Sequence, residues 1–350
     1  MNSAISRNAL VIIAVIVAGA ALHWLADIIT PLLLAAFLYV MIDGLARAFR
    51  SRLPKLPTPA ETAAAIALTL TLLAISIVIV ATNANGFVTA LSGAVPKITR
   101  LIEHLTTSLP FAGPEGARRV LGEIPIGTLL GRLAGGFQGF AGNALWVLIY
   151  LGFLLAARPA LERKAARLFV TPDSRRNAER IFVSVRTGVE QYLWLQSING
   201  ALMAVGSFTL MALVGLDNAI FWAFVIFIAS FVPFVGGAIG IAMPALFGLL
   251  QFDDPWRYGG LFAGLWLLHT LVGSILMPRL QGQRLNMDPL VVLLSLAFWG
   301  AILGVAGLFL STPMTVLSMA ILAQFPGSRW IAVLLSADGE PLGPKPEAKT

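Results

Sequence analysis

Long stretches without charge restrict the fold of this sequence more than any other feature. They contain no Asp, Glu, Lys or Arg, and several far exceed the roughly 20 residues that a helix needs to cross the hydrocarbon core of a bilayer. We count eight of them: Asn8–Ala26, Ile28–Ile42, Thr62–Pro96, Leu133–Ala157, Gln191–Leu216, Asn218–Phe252, Tyr258–Pro278 and Pro289–Ser328. Segments of this length and character predict transmembrane helices.

The composition indicates that lipid surrounds most of the chain. Charged residues make up 12% of the sequence and apolar residues 58%, whereas a soluble globular protein carries about 25% charged residues. We therefore predict an all-α, polytopic protein of the lipid bilayer. Cysteine is absent, which excludes disulfides and thiolate metal sites. The net charge of +7 comes from basic residues beside the apolar stretches, and this placement indicates membrane topology and no nucleic-acid partner.

The N-terminus allows two interpretations. Leu10–Leu25 follows Arg7 and has features of a cleavable signal peptide, with Ala18–Ala20 as a small-residue cleavage site. The run is long for a signal peptide, and a second apolar segment follows Asp27 almost at once. We expect the segment to be retained as the first transmembrane helix.

Basic residues orient the first helices. Arg47–Lys55 and Arg158–Arg186 are rich in Lys and Arg, and the positive-inside rule places both segments in the cytoplasm. Helix one then runs outward, helix two (28–45) inward, helix three (62–82) outward and helix four (141–157) inward.

This topology divides the chain into four regions. We predict a four-helix membrane region (1–157), a cytoplasmic amphipathic helical segment (158–190) capped at Thr171 and Pro172, a second membrane region (191–328) and a disordered cytoplasmic tail (329–350). Within the first region an external amphipathic segment covers residues 84–139, with a helix near Ile98–Leu109 lying on the outer surface and a second apolar stretch from Val120. Three roles are open for this segment: a gating arm, an interfacial anchor and an oligomer contact.

Two of the apolar stretches are too long for one helix and are interrupted by Gly and Pro. Asn218–Phe252 is broken at Phe231–Gly237, and Pro289–Ser328 is broken at Trp299–Gly307, with Pro313 following. Each arm of the first stretch has about 14–16 residues, or roughly 21–24 Å, which is less than the roughly 30 Å core. We predict about six full spans plus two hairpins, the first entering from outside and the second from the cytoplasm; re-entrant and fully spanning forms are both open.

The interruptions themselves suggest a function. Broken helices free backbone N–H and C=O groups that lipid cannot satisfy, and paired broken segments are typical of the binding sites of transporters. The glycines also have a simpler interpretation as packing contacts, because they include the Gly-x-x-x-Gly pairs Gly236/Gly240, Gly260/Gly264 and Gly300/Gly304. Packing does not explain Pro233 or the excess length.

Motifs at the interruptions resemble those of the autoinducer-2 exporter family of bacterial membrane proteins. Phe231–Gly237 is similar to the family's Ile-Pro-Tyr-(Ile/Val)-Gly motif, and Met277–Gly282 with Met287–Leu290 is similar to its next signature. The same order continues through Trp299-Gly300, Gly304, Gly307 and Pro313-Met314-Thr315, and the early Thr30–Leu34 also fits. The resemblance covers essentially the whole chain and is strongest over Arg186–Thr315.

The resemblance implies a homo-oligomeric transporter of the bacterial inner membrane that exports autoinducer-2, a quorum-sensing furanone. Together with the topology, it predicts cytoplasmic N- and C-termini. Other members of the family are associated with sodium/proton antiport. Members often carry Glu or Gln late in the predicted seventh helix (258–277), where this chain has Leu271–Ser274. This departure weakens an ion-coupling role at that position.

The candidate functional residues form three groups. The proposed substrate path and hairpin hinges are Pro233, Phe234, Gly236, Gly237, Gly240, Pro244, Gly300, Gly304, Gly307 and Pro313. His269 is an ionisable group inside a span, where a central charge costs about 2.5–3.5 kcal/mol, and it is either a proton-coupling residue or a neutral, hydrogen-bonded one. Gln196 and Asn199 either face a polar path or bridge helices. Phosphate-binding loops and zinc-protease motifs are absent, so we expect no enzyme activity, cofactor or metal.

Three hypotheses follow for the function. The first is secondary export of a small polar metabolite, such as autoinducer-2, by alternating access around the two hairpins. The second is sodium(lithium)/proton antiport in which His269 and Asp217 take part. The third is a membrane scaffold without transport.

Overall fold

The computed structural model of the chain describes residues 13, 17, 19–52, 57–108, 126–168, 172–281, 287–325 and 327–340. These residues form the helices α1 (Ala26–Arg52), α2 (Thr58–Ser108), α3 (Ile126–Leu168), α4 (Pro172–Val214), α5 (Ala219–Ala229), α6 (Val235–Gln251), α7 (Pro255–Thr270), α8 (Met277–Gln281), α9 (Pro289–Leu322) and α10 (Arg329–Leu335). A π-helical turn, Leu271–Leu276, joins α7 to α8. The described part of the chain contains no β-strand, and the all-α prediction is confirmed.

Six helical segments among the described residues are long and apolar enough to cross a membrane. They are Ala26–Arg52, Pro59–Asn83, Gly142–Ala160, Val185–Val214, Pro255–Leu280 and Pro289–Leu322. The helices α5 and α6 are apolar but shorter. The prediction of a polytopic membrane protein is therefore confirmed. The predicted first helix lies mostly outside the described residues, although its residues 19–24 are helical.

The outer surfaces of these helices are apolar, as lipid contact requires. Large side chains stand almost fully exposed on the spans, among them Val305 at 82%, Leu213 at 80% and Phe153 at 71%. Exposing apolar surface to water costs about 25 cal/mol per Å², so a soluble fold would bury such residues. In a bilayer the same residues contact acyl chains.

Three helices are longer than a membrane requires. Helix α2 has 51 residues, and α3 and α4 have 43 each. At 1.5 Å per residue α2 measures about 76 Å, against a hydrocarbon core of roughly 30 Å. The helix predicted near Ile98 is present as an uninterrupted part of α2, and it is not a separate surface element. The amphipathic pattern predicted for residues 84–139 and the second stretch from Val120 fall largely outside the described side chains.

Helix α4 joins the predicted amphipathic segment (158–190) to the candidate span Val185–Val214. It begins at Pro172 and runs to Val214 without a break. The sequence predicted this continuity, because the apolar face of the predicted amphipathic helix leads directly into the charge-free stretch. The predicted cap residue Thr171 lies outside the described residues.

The chain forms two compact units. The first contains Met1–Thr69, Ala144–Ser197 and Arg279–Thr350, and the second contains Leu70–Asn143 and Ile198–Pro278. The regions predicted from the sequence follow chain order, whereas these units follow packing. The four predicted regions therefore stay a prediction.

Each unit has its own apolar core. In the first unit α1, α2 and α3 bury a cluster of small and branched residues: Ala35, Ile42, Ala46, Ala65, Val147 and Leu151. In the second unit a cluster that includes Phe221, Ile226, Leu261 and Leu265 joins α5 to α7. Fully burying one such large side chain contributes about 1.5–3 kcal/mol relative to exposure in water.

The tail begins with an ordered helix. Arg329–Leu335 form α10, and Ala332 within it is fully buried. The predicted disorder is therefore wrong for the start of residues 329–350, because α10 packs against α9 and buries Ala332 in the contact. The proline-rich end, 341–350, lies outside the described residues.

Candidate functional site

The first hairpin consists of α5 and α6, and it is broken where the sequence predicts. Helix α5 ends at Ala229 and α6 begins at Val235. Between them Pro233 has no backbone donor, and Phe234 has a φ of +63°, which bulky residues rarely adopt. The predicted interruption at Phe231–Gly237 is confirmed.

Gly236 allows the two arms of the first hairpin to touch. A Cβ at this position would lie 2.8 Å from the carbonyl carbon of Ala229, which is well inside van der Waals contact. Further along α6, Pro244 is fully buried. The tip therefore depends on the absence of a side chain at Gly236.

His269 on α7 lies against the second arm of the first hairpin. The residue is 8% exposed, and its Nδ1 is 3.0 Å from the carbonyl oxygen of Leu265. Because a carbonyl only accepts, Nδ1–H donates this hydrogen bond, and Nε2 faces α6. A Cβ at Gly240 would lie 2.5 Å from Nε2, and one at Gly237 would lie 4.0 Å from Cδ2. The structure thus brings together His269, Gly237 and Gly240, which the sequence identified separately.

The helix that carries His269 changes its geometry directly after it. Leu271–Leu276 form a π-helical turn, in which each hydrogen bond spans five residues and the helix is locally wider. Such turns inside α-helices frequently occur at functional sites. Leu271–Ser274, where the resemblance leads us to expect Glu or Gln, lie in this turn. No residue pattern in the sequence predicted it.

Gln251 closes the base of the first hairpin. Its Oε1 accepts a hydrogen bond from the backbone amide of Asp217 at 2.8 Å, and its Nε2 donates to the carbonyl of Gly215 at 2.9 Å. Gly215 and Asn218 both have positive φ angles. Asp217 and Asn218 therefore belong to a tight turn between α4 and α5.

The second hairpin is α9, which is broken at Gly304. This residue has a φ of +64° and a ψ of −144°, a conformation that glycine adopts far more readily than other residues. Helix α9 therefore consists of two arms, Pro289–Leu303 and Val305–Leu322. The interruption predicted at Trp299–Gly307 is confirmed.

Close contacts fix the bend of the second hairpin. A Cβ at Gly307 would lie 2.5 Å from the carbonyl carbon of Trp299, and one at Gly300 would lie 2.6 Å from Cδ2 of Leu308. A leucine side chain can rotate away, whereas a backbone carbonyl cannot, so Gly307 is the more constrained of the two. Pro313 is fully buried in the second arm.

Buried polar groups connect the two arms of α9. The Trp299 Nε1 donates to the Thr315 hydroxyl at 3.0 Å, and that hydroxyl donates to the Ser311 carbonyl at 2.8 Å. All three residues are buried. The bond from Trp299 to Thr315 links the arms beside the bend, and buried bonds of this kind restrict the conformations of the groups that they join.

Gln196 and Asn199 both lie on α4 and differ in their surroundings. Gln196 is buried beside Tyr192, which also lies beside Thr312 of the second hairpin. Asn199 has a buried Oδ1 that accepts no hydrogen bond from the described residues. Of the two alternatives from the sequence, helix bridging fits Gln196 and a polar path fits Asn199; both stay predictions.

Asp43 is the centre of a charge cluster that the sequence analysis missed. Its side chain is 10% exposed and pairs with Arg47 at 2.7 Å, with Arg158 at 3.2 Å and with Arg186. Arg47 also pairs with Glu190. The cluster joins α1, α3 and α4 within the first unit, and it lies in segments that the charge distribution assigns to the cytoplasm.

Glu61 is a buried carboxylate that forms an ion pair with a more exposed arginine in the same unit. Its side chain is 3% exposed and lies 2.8 Å from Nε of Arg50. In the sequence, Arg50 and the arginines that pair with Asp43 served only as topology signals. The spacing of Asp43 and Arg47, four residues apart on one helix, was a visible signal for one pair, but the partners on other helices depend on the fold.

No group of three or more His, Cys, Asp or Glu side chains that could hold a metal ion occurs among the described residues. The candidate functional features occur in each unit: the second unit contains the break at Phe234 and the buried imidazole of His269, and the first unit contains the break at Gly304 and the uncharged polar groups beside Gln196. Several apolar spans combined with two helices broken within long apolar segments define a polytopic helical membrane protein with the architecture of a transporter.

Comparison with known proteins assigns the family. The family model described as AI-2E family transporter matches residues 10–327, so the chain belongs to this family and the predicted resemblance is confirmed. A protein of Haemophilus influenzae named "Putative transport protein" is 30% identical over 95% of this chain and 97% of its own length.

Two relatives in Escherichia coli K12 are also similar. "Putative transport protein YhhT" is 28% identical over 92% of this chain and 91% of its own length. "AI-2 transport protein TqsA" is 29% identical over 60% of each chain. The family and these names support a role in membrane transport.

Proposed function

We propose that this protein is a secondary transporter that exports a small polar metabolite, such as autoinducer-2, across the bacterial inner membrane. Transport proceeds by alternating access around the two hairpins. The observation that carries the proposal is the pair of helix breaks, one at Phe234 and one at Gly304, within long apolar segments. The proposal includes no catalytic reaction.

The backbone groups at the breaks are the physical basis for transport. A broken helix leaves N–H and C=O groups without their helical partners, and acyl chains offer no hydrogen bonds to them. A polar solute does offer such bonds, which is why discontinuous helices line the binding sites of many secondary transporters. Gly304 has no other heavy atom within 4 Å of the place where a Cβ would stand, so space beside this break is available.

The name of one relative supports the choice of solute. TqsA is named an AI-2 transport protein, whereas the names of the Haemophilus protein and YhhT state transport without a solute. At 29% identity over 60% of each chain, the solute can differ between relatives. Autoinducer-2 is therefore the first compound to test.

The proposal gives roles to the predicted residues. Gly236 and Gly307 allow close contact at the two tips, and Gly304 provides the bend. His269 lies against Gly240, so a change in its protonation would act directly on the second arm of the first hairpin. Asn199 supplies an uncharged acceptor for a passing solute.

The proposal keeps the orientation predicted from charge. Both termini lie in the cytoplasm, and the protein assembles as a homo-oligomer. The basic residues around Asp43 support the cytoplasmic assignment of that end of α1, because Lys and Arg are retained on the inner side of membranes. Neither the family match nor the names of the relatives supports sodium/proton antiport, which becomes one outcome of the test.

The test measures flux through the purified protein in liposomes. We expect protein-dependent efflux of labelled autoinducer-2, and we expect Gly236→Leu and Gly304→Leu to abolish it while the variants still insert. Gly259→Leu is the control, because no heavy atom lies within 4 Å of its Cβ position and its φ is not left-handed.

The outcomes separate the three hypotheses. Normal flux in both hairpin variants would contradict the proposed mechanism. Sodium- or lithium-dependent proton movement without autoinducer-2 flux would favour antiport. Absence of both autoinducer-2 flux and sodium- or lithium-dependent proton movement would favour a membrane scaffold.

A further inference from the structure

The bend of the second hairpin receives a hydrogen bond from outside α9. Nδ1 of His23 lies 3.0 Å from the carbonyl oxygen of Ile302, two residues before the break at Gly304. Because the carbonyl only accepts, Nδ1 carries the hydrogen and donates it. His23 lies in the helical residues 19–24, ahead of α1, so a residue distant in sequence reaches the bend.

The break explains why this carbonyl takes an external donor. In a continuous helix the carbonyl of Ile302 would accept from the amide four residues later. The non-helical angles of Gly304 lie between these two groups, so we infer that this helical bond is interrupted. A buried carbonyl without a partner is costly, most of all in lipid, where water is absent. The imidazole of His23 supplies the replacement.

Apolar side chains pack beside this hydrogen bond on the Ile302 side, and His23 itself is exposed. Trp299, Ile302 and Leu303 form a buried cluster at the bend, and Leu22 and Leu33 pack against it from either side of His23 in sequence. Low local polarity strengthens the hydrogen bond and raises the cost of breaking it. The segment around His23 and the bend of α9 therefore form one packed assembly within the first unit.

We propose that His23 is a positioning residue for transport: its Nδ1–H holds the bend of the second hairpin in one conformation, and the transport cycle breaks and remakes this bond. The proposal rests on the proposed function of the hairpins. It differs from the role of His269, whose Nδ1–H donates within its own helix. A bond between separate helical segments reports on their relative movement, whereas a bond within one helix does not.

Three substitutions of His23 test the hydrogen bond specifically. The amide nitrogen of Asn stands in nearly the same place as Nδ1 of His, whereas that of Gln lies one bond further out, and Leu has no donor. A neutral hydrogen bond corresponds to roughly a two- to tenfold change in an equilibrium constant. We expect His23→Asn to keep autoinducer-2 flux within about twofold of the unmodified protein, and His23→Gln and His23→Leu to lower it by about fivefold or more.

Helix propensity allows the order of flux in His23→Asn and His23→Gln to separate a hydrogen-bonding role from a role in helix stability. Gln is the better helix former and Asn the poorer one, so a role limited to helix stability predicts that His23→Gln retains more function than His23→Asn. The hydrogen bond predicts the reverse. The comparison of Asn with Gln also holds if His23→Leu fails to fold.

A spectroscopic measurement tests the position of the bend without using flux. The chain has no cysteine, so a nitroxide label on Val305→Cys, next to the break and 82% exposed, reports on this site alone. In the labelled full chain we expect His23→Gln and His23→Leu to increase nitroxide mobility and His23→Asn to leave it unchanged. A label on Trp256→Cys in the second unit is the control and should not respond.

The two readouts distinguish failure of this inference from failure of the proposed function. If the unmodified protein moves no solute but the Val305 label responds to His23 in the expected order, the positioning role stands and the transport proposal fails. If solute moves and all three variants match the unmodified protein in flux and label mobility, the positioning role is refuted. Higher flux and lower label mobility in His23→Gln than in His23→Asn would also refute it.

Discussion

Replacing Gly307 with alanine tests whether the bend of α9 tolerates any side chain. The new Cβ would lie 2.5 Å from the carbonyl carbon of Trp299, whereas ordinary contact begins at 3.4 Å. The carbonyl carbon alone requires the two arms to separate by at least about 0.9 Å at this point, and the carbonyl oxygen of Trp299 lies closer still. Because the obstacle is backbone, no rotamer change relieves the clash. Overpacking of this kind costs about 1–3 kcal/mol.

Two further glycines in the same unit separate steric from conformational effects. Gly304→Ala meets no heavy atom within 4 Å, but its positive φ forces alanine into a strained conformation that costs about 1–3 kcal/mol. Gly152→Ala meets nothing within 4 Å and keeps helical angles in α3. It should be neutral or stabilising by up to about 1 kcal/mol, because alanine favours helices.

The assay combines unfolding in detergent with flux in liposomes. We expect Gly307→Ala and Gly304→Ala to unfold at lower temperature than the unmodified protein, and Gly152→Ala to unfold at the same or a higher temperature. Flux should fall about tenfold or more for Gly307→Ala, since displacements near 1 Å in a functional site can reduce rates by about 100-fold.

One result would refute this reasoning. If Gly307→Ala matches Gly152→Ala in both unfolding temperature and flux, the arms of the second hairpin separate freely. The close contact with Trp299 would then affect neither stability nor transport. A loss of flux with unchanged stability would instead show that the separated bend is stable but inactive.

Three more predictions concern other parts of the molecule. Asp43→Ala should lower stability by about 1–3 kcal/mol, because it leaves three half-exposed arginines without their shared carboxylate, a loss smaller than for a fully buried pair; denaturation in detergent measures it. Gly240→Ala should lower stability by about 1–3 kcal/mol because its Cβ meets Nε2 of His269, and adding His269→Ala should restore part of the loss. Gln251→Ala should loosen the base of the first hairpin and speed hydrogen exchange at the amide of Asp217.

Matched variants control these experiments. Asp43→Glu keeps the charge and should recover part of the loss of Asp43→Ala, whereas equal effects of both would contradict the ion-pair argument. If His269→Ala fails to relieve Gly240→Ala, the two groups are not in contact. Unchanged exchange at Asp217 in Gln251→Ala, with exchange at Ile220 as the internal reference, would remove the proposed clamp.

The helix breaks could be predicted from the sequence because their causes are local. Pro233 lacks an amide hydrogen, and the glycines of Trp299–Gly307 lower helix propensity over a short stretch. Either effect acts through the residue itself, without a partner. The same logic predicted the start of α4 at Pro172 and its continuation into the membrane.

Contacts between distant segments could not be predicted in the same way. Asp43 pairs with Arg158 and Arg186 only because α1, α3 and α4 pack together. His23 sits in an apolar run that gives no indication of its partner at Ile302. The π turn after His269 also lacks a signal, because apolar residues such as Leu and Val fit an α-helix equally well.

The first unit is discontinuous in sequence, and this determines the order in which it can be assembled during synthesis. Its last piece, Arg279–Thr350, leaves the ribosome only after the whole second unit has been made. Leu33 on α1 packs against a cluster that includes Trp299 on α9. This apolar face of α1 therefore stays uncovered until the second hairpin has been synthesised. Lipid or the insertion machinery must shield Leu33 until then. A chain that stops before Pro289 would keep this face open and become a substrate for membrane proteases.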